Sequence, residues 1–288
     1  MKAINIASLA APALLVLALG ALVSCGGGQA GRTSSAEEQF KLARKHYDKK
    51  KYFQSAAEFQ KVVYNFPGSQ LVDTAQYYLS MSYMGDGQYE LAAVEFERLL
   101  KNYPRSPFAS ECRYRIGFCF FKAAPGHYGL DQTEVSRSIK LLENFILDYP
   151  ESEFVSEAQE SILSARTRLA EKDFKSGVVY MNIRVYTAAE KYFQRVIDLY
   201  GDTKYAADAL FEMARSRYKL KLWDKAAQSA NSFVSLYPQH KIAEKARKLI
   251  EKIEKDRAKY ASPATNGVGP TQDPENGAVN SFKPLSDR

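Results

Sequence analysis

"LSMSYMGDGQYELAAVEFERLLKNYP", residues 79–104, holds two apolar segments around a Gly-Asp-Gly turn and closes on an aromatic followed by proline. In both segments apolar residues return at three- and four-residue steps, the period of an amphipathic helix. Gly85 to Gln88 interrupt that period and let the chain reverse, so the stretch reads as a helical hairpin. The closing aromatic and turn residue occur as Phe66-Pro67, Tyr103-Pro104, Tyr149-Pro150, Tyr200-Gly201 and Tyr237-Pro238, at spacings of 37, 46, 51 and 37 residues. An internal period in this range marks a helical solenoid, in which each hairpin buries its apolar face against the next.

The tetratricopeptide pattern of large, small and aromatic positions fits all five segments, although these spacings exceed its 34-residue period. It places Leu42, Ala43, Ser55, Phe59, Val62 and Pro67 in the first repeat, and Leu79, Ser80, Tyr83, Ala92, Phe96, Leu99 and Pro104 in the second. The third supplies Ile116, Gly117, Phe120, Ser138, Leu142, Phe145 and Pro150. The fourth has Gly177, Tyr180, Ala189, Phe193 and Val196, and the fifth Met213, Ala214, Ala226, Phe233 and Pro238. Small residues let the two helices of a hairpin approach, and large ones fill the space between them. The fold expected is all-α: a tetratricopeptide-like solenoid of about five repeats from residue 35 to 260.

Local signals refine the boundaries. Ser35 with Glu38, and Asp131 with Glu134, read as capping boxes, and Ser106-Pro107 reads as an N-cap followed by proline at the first helical position. The extra residues of the third repeat fall in "KAAPGHYGL", a loop at 122–130. Those of the fourth precede its first helix, where the run from Phe154 has no breaker before Gly177, so one long helix joins residues 35–151 to residues 152–260. Residues 261–288 lack apolar periodicity, are rich in Pro, Gly and Asn, and read as a disordered tail.

The chain's start has a separate logic. Met1-Lys2, an apolar run to Val23 and then Leu22-Val23-Ser24-Cys25 have the layout of a secretory signal over residues 1–24. The last four resemble a bacterial lipobox, which implies acylation of Cys25. One acyl chain anchors marginally and several hold firmly, so lipid alone would fix the protein to a membrane it does not span. Residues 25–34 form the lipidated tether, whose Gly-rich, polar part, residues 26–34, reaches at most about 30 Å.

The 288 residues carry a net charge of +7 and 45% hydrophobic residues, enough for a well-buried core. No basic run with interleaved aromatics argues for nucleic acid. Cys112 and Cys119 lie seven apart in one expected helix, beyond disulfide reach, and read as buried packing residues. His46, His127 and His240 fall in different repeats, with no metal-ligand spacing and no phosphate-binding loop, so neither a metal, a cofactor nor catalysis is expected.

The inner faces of the first helices are more informative. Positions that face the groove of a tetratricopeptide superhelix map to Phe40, Arg44 and Tyr47, to Tyr77, Met81 and Met84, and to Tyr114, Phe118 and Phe121. Aromatic and methionine side chains there suit an extended peptide with aromatic residues. The competing reading is that they pack between adjacent repeats. The basic last helix, 241–260, reads as a solvated cap, or as a face for an acidic partner or anionic lipid.

Lipobox, tether, five repeats and long connecting helix together resemble the BamD family of lipoproteins of the bacterial β-barrel assembly machinery. "LLKNYPRSPFASECRYRIGFCFF", "LDQTEVSRSIKLLENFILDYPESEF" and "YTAAEKYFQRVIDLYGDTKYAADAL" carry the resemblance most clearly. It implies a non-enzymatic scaffold held in the outer membrane and facing the periplasm. It also implies that the N-terminal repeats meet unfolded outer-membrane proteins and the C-terminal repeats a BamA-like barrel protein. The tail after Tyr260 and Gly201 in place of proline depart from the family pattern. The alternative is a periplasmic tetratricopeptide adaptor serving envelope or division machinery, against which the acylation motif counts.

Overall fold

The computed structural model describes residues 35–261, within which every regular element is an α-helix. The five hairpins are α1 (Ala36–Asp48) with α2 (Tyr52–Asn65), α3 (Val72–Gly85) with α4 (Tyr89–Asn102), α5 (Ala109–Ala123) with α6 (Thr133–Asp148), α7 (Val155–Asn182) with α8 (Tyr186–Tyr200), and α9 (Tyr205–Lys219) with α10 (Trp223–Leu236). A last helix, α11 (Ala243–Ala261), closes the stack. The signal segment, Cys25, the tether and the tail after Ala261 lie outside the described residues.

The second helix of each hairpin explains why the stack forms. Ser55, Ala92, Ser138, Ala189 and Ala226 begin a column that continues four residues on at Phe59, Phe96, Leu142, Phe193 and Ala230. Seven residues on come Val62, Leu99, Phe145, Val196 and Phe233, and all fifteen are 0–1% exposed. Opposite them, Ala43, Ser80, Gly117, Gly177 and Ala214 occupy the small position of the first helices and are buried. A Cβ at Gly117 would lie 2.7 Å from Leu142 Cγ, and one at Gly177 would lie 2.6 Å from Phe193 Cε1, so close approach requires glycine there. Where the second-helix column starts with serine, its hydroxyl donates across the hairpin, from Ser55 to the Ala43 carbonyl at 3.2 Å and from Ser138 to the Gly117 carbonyl at 2.6 Å. Buried hydroxyls are thus paired rather than orphaned.

Helix α7, with 28 residues, is about twice as long as its neighbours. Ala158 and Ile162 pack with Tyr114 and Phe145, Ala165 and Leu169 with Val135 and Phe121, and Ala170, Phe174 and Met181 with the α8–α9 core. The linking helix expected from residue 154 is therefore present, with its first half in one core and its second half in another. Cys112 and Cys119 are free and fully buried on α5, and burial pushes both thiols up to about 12.

Three local expectations are corrected. Ser35 and Glu38 do form a capping box, but Asp131 does not: α6 starts at Thr133 with Gln132 at the cap, and Asp131 accepts from the Thr133 amide and hydroxyl one residue too early. Ser106-Pro107 stands in the turn before α5, whose cap position is Phe108; the Ser106 hydroxyl donates to Asp73 of α3 at 3.2 Å and accepts from the Phe108 amide at 3.4 Å. Leu42, expected at a large packing position, is 42% exposed on α1, the first helix among the described residues.

Candidate functional site

First helices pack side by side at α1–α3, α5–α7 and α7–α9, and α9 packs on the closing helix α11, whereas successive second helices make no comparable contact. The first helices therefore line the inside of the curve, where sequence reasoning places its nine candidates. The structure divides those nine by depth.

Tyr77 and Tyr114 are buried, 7% and 4% exposed. The Tyr77 ring stacks on Phe108 with centroids 4.2 Å apart, and that of Tyr114 on Phe154 at 5.4 Å. Phe108 and Phe154 cap the next first helix in each case, so these tyrosines join one repeat to the next. They are corrected from contact residues to the packing that supports the wall. Burial raises both phenols above their ordinary value.

The other seven remain partly exposed. Phe40 meets Phe59 and Tyr78 edge-on at 5.3 and 6.3 Å, and Tyr47 meets Tyr78 at 5.2 Å. The Arg44 guanidinium lies 4.3 Å from the Tyr78 ring centroid and pairs with Asp48 at 2.9 Å, a hydrogen bond that raises its pKa further. Tyr78, which the register did not single out, is thus the hub of the first wall. Met81 and Met84 border the α3–α5 core, and Phe118 borders Tyr114. Phe121 is covered from one side by Arg168 of α7, whose guanidinium sits 4.3 Å from the ring centroid and donates to the Phe121 and Ala124 carbonyls at 3.4 and 3.3 Å. Burial lowers the Arg168 pKa. The partly exposed wall is therefore Met81, Met84, Phe118 and Phe121, with the Lys122 ammonium 5.7 Å from the Phe118 ring centroid, next to Phe40 and the Arg44–Tyr47–Tyr78 cluster.

A second concavity, of about 380 Å³, opens where α6, α7 and α8 meet. Asp173, 5% exposed, pairs there with Arg195 at 3.2 Å. Burial raises the Asp173 carboxyl above its ordinary value, against the pull of Arg195. Sequence reasoning missed this pair; the signal was an aspartate on the otherwise buried face of α7. Where α7 gives way to α8, Val179 in the last turn of α7 and Ile183 and Val185 in the connection are exposed at 54, 60 and 43%.

Among the described residues no group of His, Cys, Asp and Glu could hold a metal ion, and no helix is long and apolar enough to cross a membrane.

Residues 32–231 match the family model YfiO, described as outer membrane lipoprotein. The chain is 26% identical over 213 residues to the outer membrane protein assembly factor BamD of Rickettsia prowazekii, covering 72% of this chain and 82% of that protein. It is 29% identical over 108 residues to BamD of Buchnera aphidicola, covering 37% and 44%. Among solved structures it is similar to the TPR2AB domain of yeast Sti1 (14% identity, TM-score 0.39, 79% and 86% covered). It is also similar to the tetratricopeptide protein TTC0263 of Thermus thermophilus (13%, 0.33, 76% and 99%).

Proposed function

The chain belongs to the YfiO family of outer-membrane lipoproteins, and from that premise we propose that it is a lipid-anchored, non-catalytic scaffold of outer-membrane protein assembly. Acylated at Cys25, it faces the periplasm and helps β-barrel proteins fold and insert. The inner wall of the N-terminal hairpins receives extended segments of unfolded barrel proteins, and the C-terminal half docks a BamA-like barrel protein.

The observation that carries the reading is the partly exposed apolar wall of Met81, Met84 and Phe118 on a rigid aromatic base. Methionine side chains adapt to different partners, and aromatic ones supply area at low entropic cost. A receptor for many extended chains needs both properties. For the second partner, the exposed Val179, Ile183 and Val185 on the α7–α8 turn give a rigid apolar edge suited to a folded domain. A relative named as an assembly factor, matched over 72% of the chain, adds support.

A pull-down of the tagged full chain from solubilised envelopes tests the reading. Recovery of a BamA-like barrel protein, lost on Ile183→Asp with Val179→Asp, is expected. Recovery of division or cell-wall proteins without any barrel protein would refute it.

A further inference from the structure

The turn between α1 and α2 and the exposed side of α1 carry a set of lysines, Lys41, Lys45, Lys49, Lys50 and Lys51, that the inner wall does not use. Residues 41–51 hold six cations, Lys41, Arg44, Lys45, Lys49, Lys50 and Lys51, against one acid, Asp48. Asp48 is occupied by Arg44 at 2.9 Å. Lys45, Lys49, Lys50 and Lys51 are exposed and form no salt bridge among the described residues. Lys41, Lys45 and Lys49 are spaced one turn apart, so they fall on one side of the helix. A shallow depression of about 370 Å³ beside them is lined by Phe40, Lys41, Arg44, Lys45, Asp48 and Lys49. The matching span of the second repeat, residues 78–88, has no Lys or Arg, and that of the fifth, residues 212–222, has four, of which Arg215 and Arg217 are paired with Glu212 and Glu190.

We propose that this basic face of α1 and its turn docks on an anionic phospholipid surface. It would set how the solenoid sits on the membrane that holds it. The inference rests on the outer-membrane reading above. Three features select this occupant. The cations crown the first described helix, with nine residues between Cys25 and the Ser35 cap, so a chain held at Cys25 keeps the start of that helix within about 36 Å of the bilayer. Unpaired lysines at the end of long stems conform to a plane of phosphates without demanding one geometry. Leu42, 42% exposed on the same helix, offers an apolar contact that a headgroup layer can accept. Each lysine brought to an anionic surface strengthens binding about fivefold, so the unpaired four together outweigh the rest of the patch.

The test uses residues 25–288 with Cys25→Ser, so that no acyl chain contributes and the result is read separately from fatty-acid labelling of Cys25. Co-sedimentation is measured at about 0.1 M salt, where charges still act over about 10 Å. One set of vesicles is phosphatidylcholine alone, and the other contains about a third phosphatidylglycerol. Binding to the anionic vesicles only is expected. The combination Lys45→Gln, Lys49→Gln, Lys50→Gln, Lys51→Gln should weaken it by about 100-fold or more. The same charge removed from α11, by Lys245→Gln, Lys248→Gln, Lys255→Gln and Lys259→Gln, should change it far less. Equal loss in both variants would reduce the effect to net charge and overturn the proposal, as would no binding to anionic vesicles. Tighter retention by a poly-glutamate peptide than by the vesicles would assign the face to an acidic protein instead. All eight lysines are exposed, and thermal melting of each variant verifies the fold.

Discussion

Replacing Tyr77 with alanine should weaken the fold rather than merely the binding of a peptide. The side chain is 7% exposed and its ring lies 4.2 Å from that of Phe108 at an interplanar angle of 12°. Truncating a buried aromatic to alanine costs about 3–5 kcal/mol, because the cavity left behind collapses only in part. Of this, about 0.5–1.5 kcal/mol belongs to the ring pair itself. For a chain of this size each kcal/mol lowers the melting temperature by about 2–4 °C, so the expected drop is about 6–20 °C. In a solenoid the loss acts first where α3 meets α5, and the hairpins beyond it lose their neighbour. Circular dichroism melting and titration with an aromatic-ended barrel peptide, on one sample, separate the alternatives. Melting within about 2 °C of wild type together with much weaker peptide binding would refute the packing role.

Three further outcomes follow from the same structure. Gly177→Ala adds a Cβ 2.6 Å from the fully buried Phe193 ring; overpacking of about 1–3 kcal/mol exceeds the roughly 1 kcal/mol gained in helix propensity, so urea unfolding should show a net loss of about 1 kcal/mol. Asp173 has a folded-state pKa raised by burial, so the folded chain binds the proton more tightly. Its stabilising effect is full below the ordinary value of 3.8 and is lost as pH rises through the folded value. Asp173→Asn should therefore melt higher than wild type at pH 7, and this advantage should shrink in melts run below pH 3.8. Cys25→Ser should abolish incorporation of a fatty-acid analogue; equal label in wild type and variant would exclude acylation at that residue.

The second helices were legible because each of their buried positions sees only its own hairpin and the next. Phe59, Phe96, Leu142 and Phe193 repeat one requirement, and the sequence states it each time. The first helices were harder to read. Their inner positions face both the groove and the following first helix, and which wins at Tyr77 or Tyr114 depends on a residue far along the chain. Phe108 and Phe154, each directly before a first helix, were the missing signal, since an aromatic there fills the space above the tyrosine. The Asp173–Arg195 pair joins two helices, and neither residue has a local pattern that names the other. The lysine cluster at 41–51 was hidden because a net charge of +7 averages it over the whole chain.

The proposed receptor wall is tested most directly by Met81→Ala with Phe118→Ala. Both side chains are partly exposed and border the buried core rather than fill it. The variant and wild type are titrated with the same barrel peptide at a temperature where circular dichroism shows both fully folded. The account predicts a loss of about 1–3 kcal/mol in binding, the cost of removing interface anchors. Unchanged affinity in the folded double variant would contradict it and place the peptide site away from this wall.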